Sequence, residues 1–308
     1  MNYLYYKAVN WDELQDALDQ YTWEKLTNNF WLDTRIPLKE DIAEWENLSV
    51  QERDQLNKLF ASLSVNYTLQ SEYGAASLRQ GIQTQQEEAV LNITTFMESV
   101  HTKAITTFFR AFIDEEETAA YYAFADQQSA LARELQRISE SYQTGNELQK
   151  KAAFLLCETI LTYGRLAPVF VKDSLIQTNQ LVGNLLRGSS IYSAYLGYKF
   201  QLACQQLSAE ESTALIAWVN QLVEEMLSIE VDFIQEIGEP IIGVELLYYA
   251  TNYFYHLLGF PQSVSYDLPA DTLNKITNLI TSIDDLQKQS RLILSSKTED
   301  MENGDYEF

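Results

Sequence analysis

Between Gln51 and Gln205 the apolar residues recur every three or four positions, the interval that lines one face of an α-helix. Leu59, Leu63 and Tyr67 fall on one such stripe. Met97, Val100, Ala104 and Phe108 form a second, and Leu155, Thr159 and Thr162, beside Leu156 and Ile160, a third. No apolar–polar alternation is long enough to build a sheet. Ser208-Ala-Glu-Glu211 has the form of a capped helix start, with Ala214, Trp218, Leu222 and Met226 on the face that follows. A last helical pattern opens at Asp271 and runs to about Ser290. The expected fold class is all-α, as one helical domain over residues 1–290 and a flexible acidic tail over residues 291–308.

Composition supports this reading. The 308 residues are 46% hydrophobic with only 11 Gly and 5 Pro, enough for a large core with few helix breakers. The segment from Pro240 to Pro261 carries Glu245 as its single charge, but it also holds Asn252, His256 and four Tyr. It reads as a buried helix of a large bundle and not as a membrane span. With 44 acidic against 21 basic residues, the formal charge of -23 repels a phosphate backbone and sets nucleic acids aside as partners. Cys157 and Cys204 have neither disulfide-framework nor zinc-finger spacing. Met1 to Trp11 shows no basic-then-apolar run, so no signal peptide is expected and the cytoplasm is the expected location. Residues 1–49 hold four of the five Trp and a loop-like stretch from Asp33 to Asp41. The last ten residues hold five acids and no base, and close on Tyr306 and Phe308, which suits a docking peptide.

The chemistry is sparse. There are two histidines. Glu98-Ser-Val-His101 places a carboxylate and an imidazole three residues apart, on one side of a helix, where both can meet one metal ion. The same spacing also suits a partly exposed Glu beside a core His. His256, among Tyr253, Phe254, Tyr255, Leu257 and Leu258, reads as a core or edge histidine. The adjacent Glu87 and Glu88 point in different directions on a helix and read as a solvated face. Phosphate-binding glycine loops and a G-x-S-x-G elbow are missing from the sequence.

Glu87-Glu-Ala-Val-Leu-Asn-Ile-Thr-Thr-Phe-Met-Glu-Ser-Val-His101 resembles the second core helix of the small, radical-bearing subunit of class I ribonucleotide reductase, the Ib type in particular. Lys25-Leu-Thr-Asn-Asn-Phe-Trp-Leu32 is similar to that family's N-terminal motif, and Lys150-Lys-Ala-Ala-Phe-Leu-Leu-Cys-Glu158 to its third core helix. Tyr195-Leu-Gly-Tyr-Lys-Phe-Gln201 resembles the segment after its last metal ligands. Leu258-Gly-Phe260 and the aromatic-ended tail also fit. The resemblance implies a ferritin-like helical bundle. It implies a homodimer, or a mixed dimer with an intact small subunit. Further implied partners are the large catalytic subunit, docked through Asp305, Tyr306, Glu307 and Phe308, and a flavodoxin-like activator protein.

The family's site takes one carboxylate from each of two helices and an E-x-x-H from each of two others, and holds two irons or two manganese ions. Carried over by position, Glu98, His101 and Glu158 are retained. The other three ligand positions fall on Tyr67, Ser189 and Tyr192, the radical tyrosine on Ile105, and the relay aspartate beside Trp31 on Gly188. Each replaced ligand is now a hydroxyl, able to donate to a carboxylate. The expectation is therefore a polar cluster with no cofactor, in which Tyr67, Ser189 and Tyr192 donate to Glu98 and Glu158. Either His101 or one Glu would carry a proton. A single metal ion on Glu98, His101 and Glu158 is the alternative. The expected role is an accessory small subunit in deoxyribonucleotide synthesis. The competing role is an active radical generator with an altered cofactor or a relocated tyrosyl radical.

Overall fold

Most of the long helices in this chain start at side chains that accept from the free amides of a first turn. The computed structural model describes residues 8–170, 173–238 and 242–280. Among these, thirteen α-helices and no strand occur. They are α1 (Ala17–Asn28), α2 (Ile42–Asn47), α3 (Val50–Leu69), α4 (Ala75–Leu78), α5 (Gln85–Phe112), α6 (Glu115–Gln127) and α7 (Ser129–Thr144). After them come α8 (Glu147–Leu156), α9 (Thr162–Phe170), α10 (Ile176–Cys204), α11 (Ala209–Glu236), α12 (Ile242–Leu258) and α13 (Ala270–Ile280). Ser49 and Ser208 cap α3 and α11 in reciprocal boxes with Glu52 and Glu211, the second as its spacing predicts. The start of α10 is capped from far away in sequence: Asp41 accepts from the amides of Gln177 at 3.0 Å and Thr178 at 2.7 Å. The loop-like stretch therefore has a structural task, and it folds as two 3-10 turns, Asp33–Arg35 and Leu38–Asp41.

The bundle is built on α3 against α5 and on α10 against α8 and α9, with α12 closing over α9. The three expected stripes are all buried, Tyr67 and Phe108 completely. Two readings shift. On α11 the buried face is Leu215, Val219, Leu222 and Met226, whereas Ala214 is exposed and Trp218 half-buried under the Arg137 guanidinium, 5.5 Å from its ring. Glu87 is not solvated. It is buried, accepting the Gln83 amide at 3.0 Å, because the start of α5 tucks under the neighbouring loop. His256 is exposed near the end of α12. On that helix Leu246, Leu247, Ala250, Phe254, Leu257 and Leu258 are buried, and no described helix is long and apolar enough to cross a membrane. The expected continuation of the last helix to Ser290, and the tail, lie outside the described residues.

Two π-helical turns, Gln70–Gly74 and Cys157–Leu161, splice α3 to α4 and α8 to α9. Such single wide turns inside α-helices gather at functional sites. Directly after the second turn stands a buried charge cluster that periodicity does not reveal. Arg165 is fully buried and lies over the Phe233 ring at 5.4 Å. Its guanidinium donates to Glu230 of α11, to Glu134 of α7 at 2.5 Å, and to the Ser62 carbonyl of α3 at 3.3 Å. One cation thus ties four elements. Replacing Arg165 by Met leaves two buried carboxylates without their counter-ion, and is expected to cost roughly 3–5 kcal/mol in urea denaturation. A change below about 1 kcal/mol, the size of an exposed pair, would show that the cluster holds nothing together.

Candidate active site

Glu98 and His101 sit one turn apart on α5, Glu158 on the second π turn, and Ser189 and Tyr192 one turn apart on α10. With Tyr67 of α3, all six are fully buried in one place. The register read from the sequence therefore brings the expected positions together. The Tyr192 hydroxyl touches Glu98 and lies 2.8 Å from Glu158 Oε2 and 3.1 Å from Ser189. Ser189 donates to the same Oε2 at 2.7 Å. Two parts of the expected cluster differ. Tyr67 makes no hydrogen bond through its hydroxyl. Its ring instead stands edge-on to His101, 4.9 Å between centroids. The third donor to Glu158 is Gln70, at 2.7 Å, which the sequence pattern does not single out.

One hydroxyl proton cannot serve two carboxylates at once. Burial, and then the charge of Glu158, drives the Glu98 carboxyl well above its ordinary value. Glu158 is also raised by burial, but donors from Gln70, Ser189 and Tyr192 pull it back. The arrangement that serves the three oxygens around Tyr192 puts a proton on Glu98, which donates to Tyr192, while Tyr192 donates to Glu158, the carboxyl with more donors. His101 is not the proton carrier: burial alone lowers it to about 3. Its Nδ1 lies 3.8 Å from Glu98, and neither ring nitrogen has a hydrogen-bond partner.

Trp31 is buried and stacks on His101 at 6.0 Å and 25°. The position of the expected relay aspartate, Gly188, faces the same imidazole: a Cβ there would lie 3.2 Å from Nε2. Ile105, at the expected radical position, is fully buried. Beside Trp31, Asp33 is buried and accepts from Lys103 at 2.9 Å and Thr107 at 2.5 Å, which hold its carboxyl below the ordinary range against the effect of burial. Asp305, Tyr306, Glu307 and Phe308, expected to dock on the large subunit, lie outside the described residues.

The proton assignment at His101 and at Glu98 has opposite consequences as pH changes, in protein freed of metal by a chelator. His101 binds a proton near pH 6.5 when unfolded and only near 3 when folded. Its contribution to stability is present above pH 6.5 and lost as pH falls. Glu98 has a raised folded value, so its contribution is present below about pH 4.5 and lost as pH rises. Thermal melts of His101→Gln should therefore fall less steeply than wild type between pH 6.5 and 4. Parallel acid limbs would refute a neutral imidazole. Tyr192→Phe, which removes the donor shared by two carboxylates, is expected to cost about 1–3 kcal/mol at pH 7 in chemical denaturation.

With this geometry in view, the chain can be set beside known proteins. The sequence profile of "Ribonucleotide reductase, small chain" matches residues 8–263. The ribonucleoside-diphosphate reductase 2 subunit beta of Escherichia coli (strain K12) is 31% identical over 233 residues, 75% of this chain and 73% of its own length. Subunit beta nrdF1 of Mycobacterium tuberculosis is 31% identical over 237 residues, 76% of this chain and 74% of its own. The dimanganese(II)-NrdF of Streptococcus sanguinis superposes with a TM-score of 0.81 at 33% identity, covering 90% of this chain and 100% of that one. The Saccharomyces cerevisiae Rnr4 homodimer shares the fold alone, at 15% identity and a TM-score of 0.69, covering 85% of this chain and 84% of that one.

The expectation of a protein without a cofactor does not survive this comparison, because a relative 33% identical over 90% of the chain is a dimanganese protein. The residues of this chain nevertheless fit a pair of ions poorly. Two carboxylates and one imidazole stand where two divalent ions need more anionic donors. Among the unpartnered atoms, Glu98 Oε2 and the one His101 nitrogen that carries no proton suit a single cation. What the side chains support by themselves is the sharing of a proton between carboxyl and hydroxyl. The helical bundle, the matched profile and the relatives agree, and the chain belongs to the class I ribonucleotide reductase small-subunit family.

Proposed function

We propose that this chain is an accessory small subunit of a class I ribonucleotide reductase of the NrdF type, serving deoxyribonucleotide synthesis without generating the tyrosyl radical itself. The observation that carries the reading is Tyr192, whose hydroxyl lies between Glu98 and Glu158 and joins the two carboxylates directly. Ser189 and Gln70 take up further acceptor sites of Glu158. Ile105 is aliphatic and cannot hold a one-electron hole. Gly188 offers no carboxylate between Trp31 and His101. The exterior is free to keep its partners when the interior changes, because docking depends on surface and tail. The partners proposed are a second small subunit, identical or intact, the large subunit through Asp305, Tyr306, Glu307 and Phe308, and a flavodoxin-like activator.

A second reading is favoured by one observation. The unprotonated nitrogen of His101 and Oε2 of Glu98, both buried and unpartnered, suit one divalent ion held by Glu98, His101 and Glu158. In that reading the chain is active with an altered cofactor, or with a radical on Tyr67 or Tyr192. The ion would supply positive charge to a site otherwise rich in acceptors. The Trp31 indole, flat on His101, already excludes water from one face of the imidazole.

Purified chain mixed with large subunit is expected to reduce no ribonucleotide until an intact small subunit is added. Turnover by this chain and the large subunit alone would overturn the accessory role. Elemental analysis after loading with manganese or iron gives a separate check: the donor set predicts at most one ion per chain, and two would refute the fit described above.

A further inference from the structure

Gln70 is fully buried and opens the first π turn, facing the second, which carries Glu158. Its amide is held at both ends. The Tyr142 hydroxyl of α7 donates to Oε1, and Nε2 donates to Glu158 Oε1 at 2.7 Å and to the Phe154 carbonyl at 3.4 Å. The ends are not interchangeable. Turned over, the amide would set its own carbonyl oxygen against the Glu158 carboxyl and lose the donation from Tyr142. Gly74 keeps the space open, since a Cβ there would lie 2.6 Å from Gln70 Oε1 and 3.1 Å from the Phe154 ring. Tyr142 is itself buried, with Cys157 Sγ 3.9 Å from its hydroxyl.

We propose that Gln70 is a positioning residue of this site, steered by Tyr142 and given room by Gly74, which commits Oε1 of Glu158 to its amide and leaves only Oε2 facing the interior. That oxygen is the one met by Ser189 and Tyr192. Any cation entering the site meets Glu158 through a single oxygen, with no two-oxygen clasp open to it. The inference rests on Glu158 belonging to the site of the proposed function, but it holds whether the chain is accessory or active. Tyr142 reaches Glu158 Oε1 through Gln70, beside its contact with Cys157, so the effects of the two on that oxygen are coupled.

Infrared spectroscopy of protein labelled with carboxyl-13C glutamate reads the orientation directly, with the Glu158 band located by its loss in E158Q. In Q70M, which keeps the volume and removes the amide, the band is expected to shift from its wild-type position. Y142F should shift the same band in the same direction and by less. The double variant should match Q70M alone. An unmoved band in folded Q70M overturns the proposal, and additive shifts overturn the role given to Tyr142. If Q70M does not fold, Y142F, which removes one oxygen atom, provides the same readout: a shifted band supports the proposal and an unmoved one overturns it. A side chain that merely fills space would be replaced by Met without any change in the band. Reductase assays bear on the accessory reading and leave this outcome untouched.

Discussion

Two carboxyl groups facing each other in a dry interior set the terms for the rest of this molecule. A lone ionised carboxylate carried out of water costs several kcal/mol even after relaxation, and here Glu98 and Glu158 are both fully buried and meet the same hydroxyl. The fold answers with donors from two helices: α10 supplies Ser189 and Tyr192, and the turn after α3 supplies Gln70. The donors are unequally shared. Glu158 meets Gln70, Ser189 and Tyr192, whereas Glu98 meets only the Tyr192 hydroxyl, so the two side chains hold a proton unequally although they are the same residue type. The asymmetry follows from where the helices place their hydroxyls and not from the acids themselves.

The same bundle buries acids by a second means. Around Arg165, two glutamates share one guanidinium, whose planar fork spans three elements. At the outer end, Asp16 and Asp19 of the α1 region are tied to Lys199 of α10, at 2.8 and 2.6 Å, and to the hydroxyls of Tyr198 and Tyr195. The chain therefore places a shared cation among its acids where helices are tied together, and only neutral hydroxyls and an amide beside the carboxyls of the site. Counter-charge fixes a structure, whereas neutral donors leave the carboxyls responsive to a proton or a cation.

What the sequence discloses and what it hides divide along a physical line. Features set by neighbours in the chain are legible: the box at Ser208 and Glu211, the buried stripes, and the one-turn spacings of Glu98 with His101 and of Ser189 with Tyr192. Features set by two distant helices are not. Gln70 and Tyr142 lie 72 residues apart, and nothing in the local pattern of either points to the other. The register places Tyr67 correctly but suggests a bond it does not make, because a position in a register says nothing about the angle of a hydroxyl. Glu87 reads as solvated because adjacency on a helix ignores what packs above it. The family resemblance carries the identity. The expectation of a cofactor-free centre, drawn from counting lost ligands, gives way to the dimanganese relative.

The paired π turns carry one last consequence. Each inserts a residue into an otherwise regular helix, and each lies where a side chain must reach the site: Gln70 from one, Glu158 from the other. Deleting a single residue from either turn would relax that helix to ordinary winding. Every later side chain would then rotate by about 100° relative to those before the turn. The helix would gain in regularity, while the residues before and after the cut could no longer face the same interior. For this fold, local perfection of the backbone and assembly of the centre are alternatives, and the chain carries the imperfection twice.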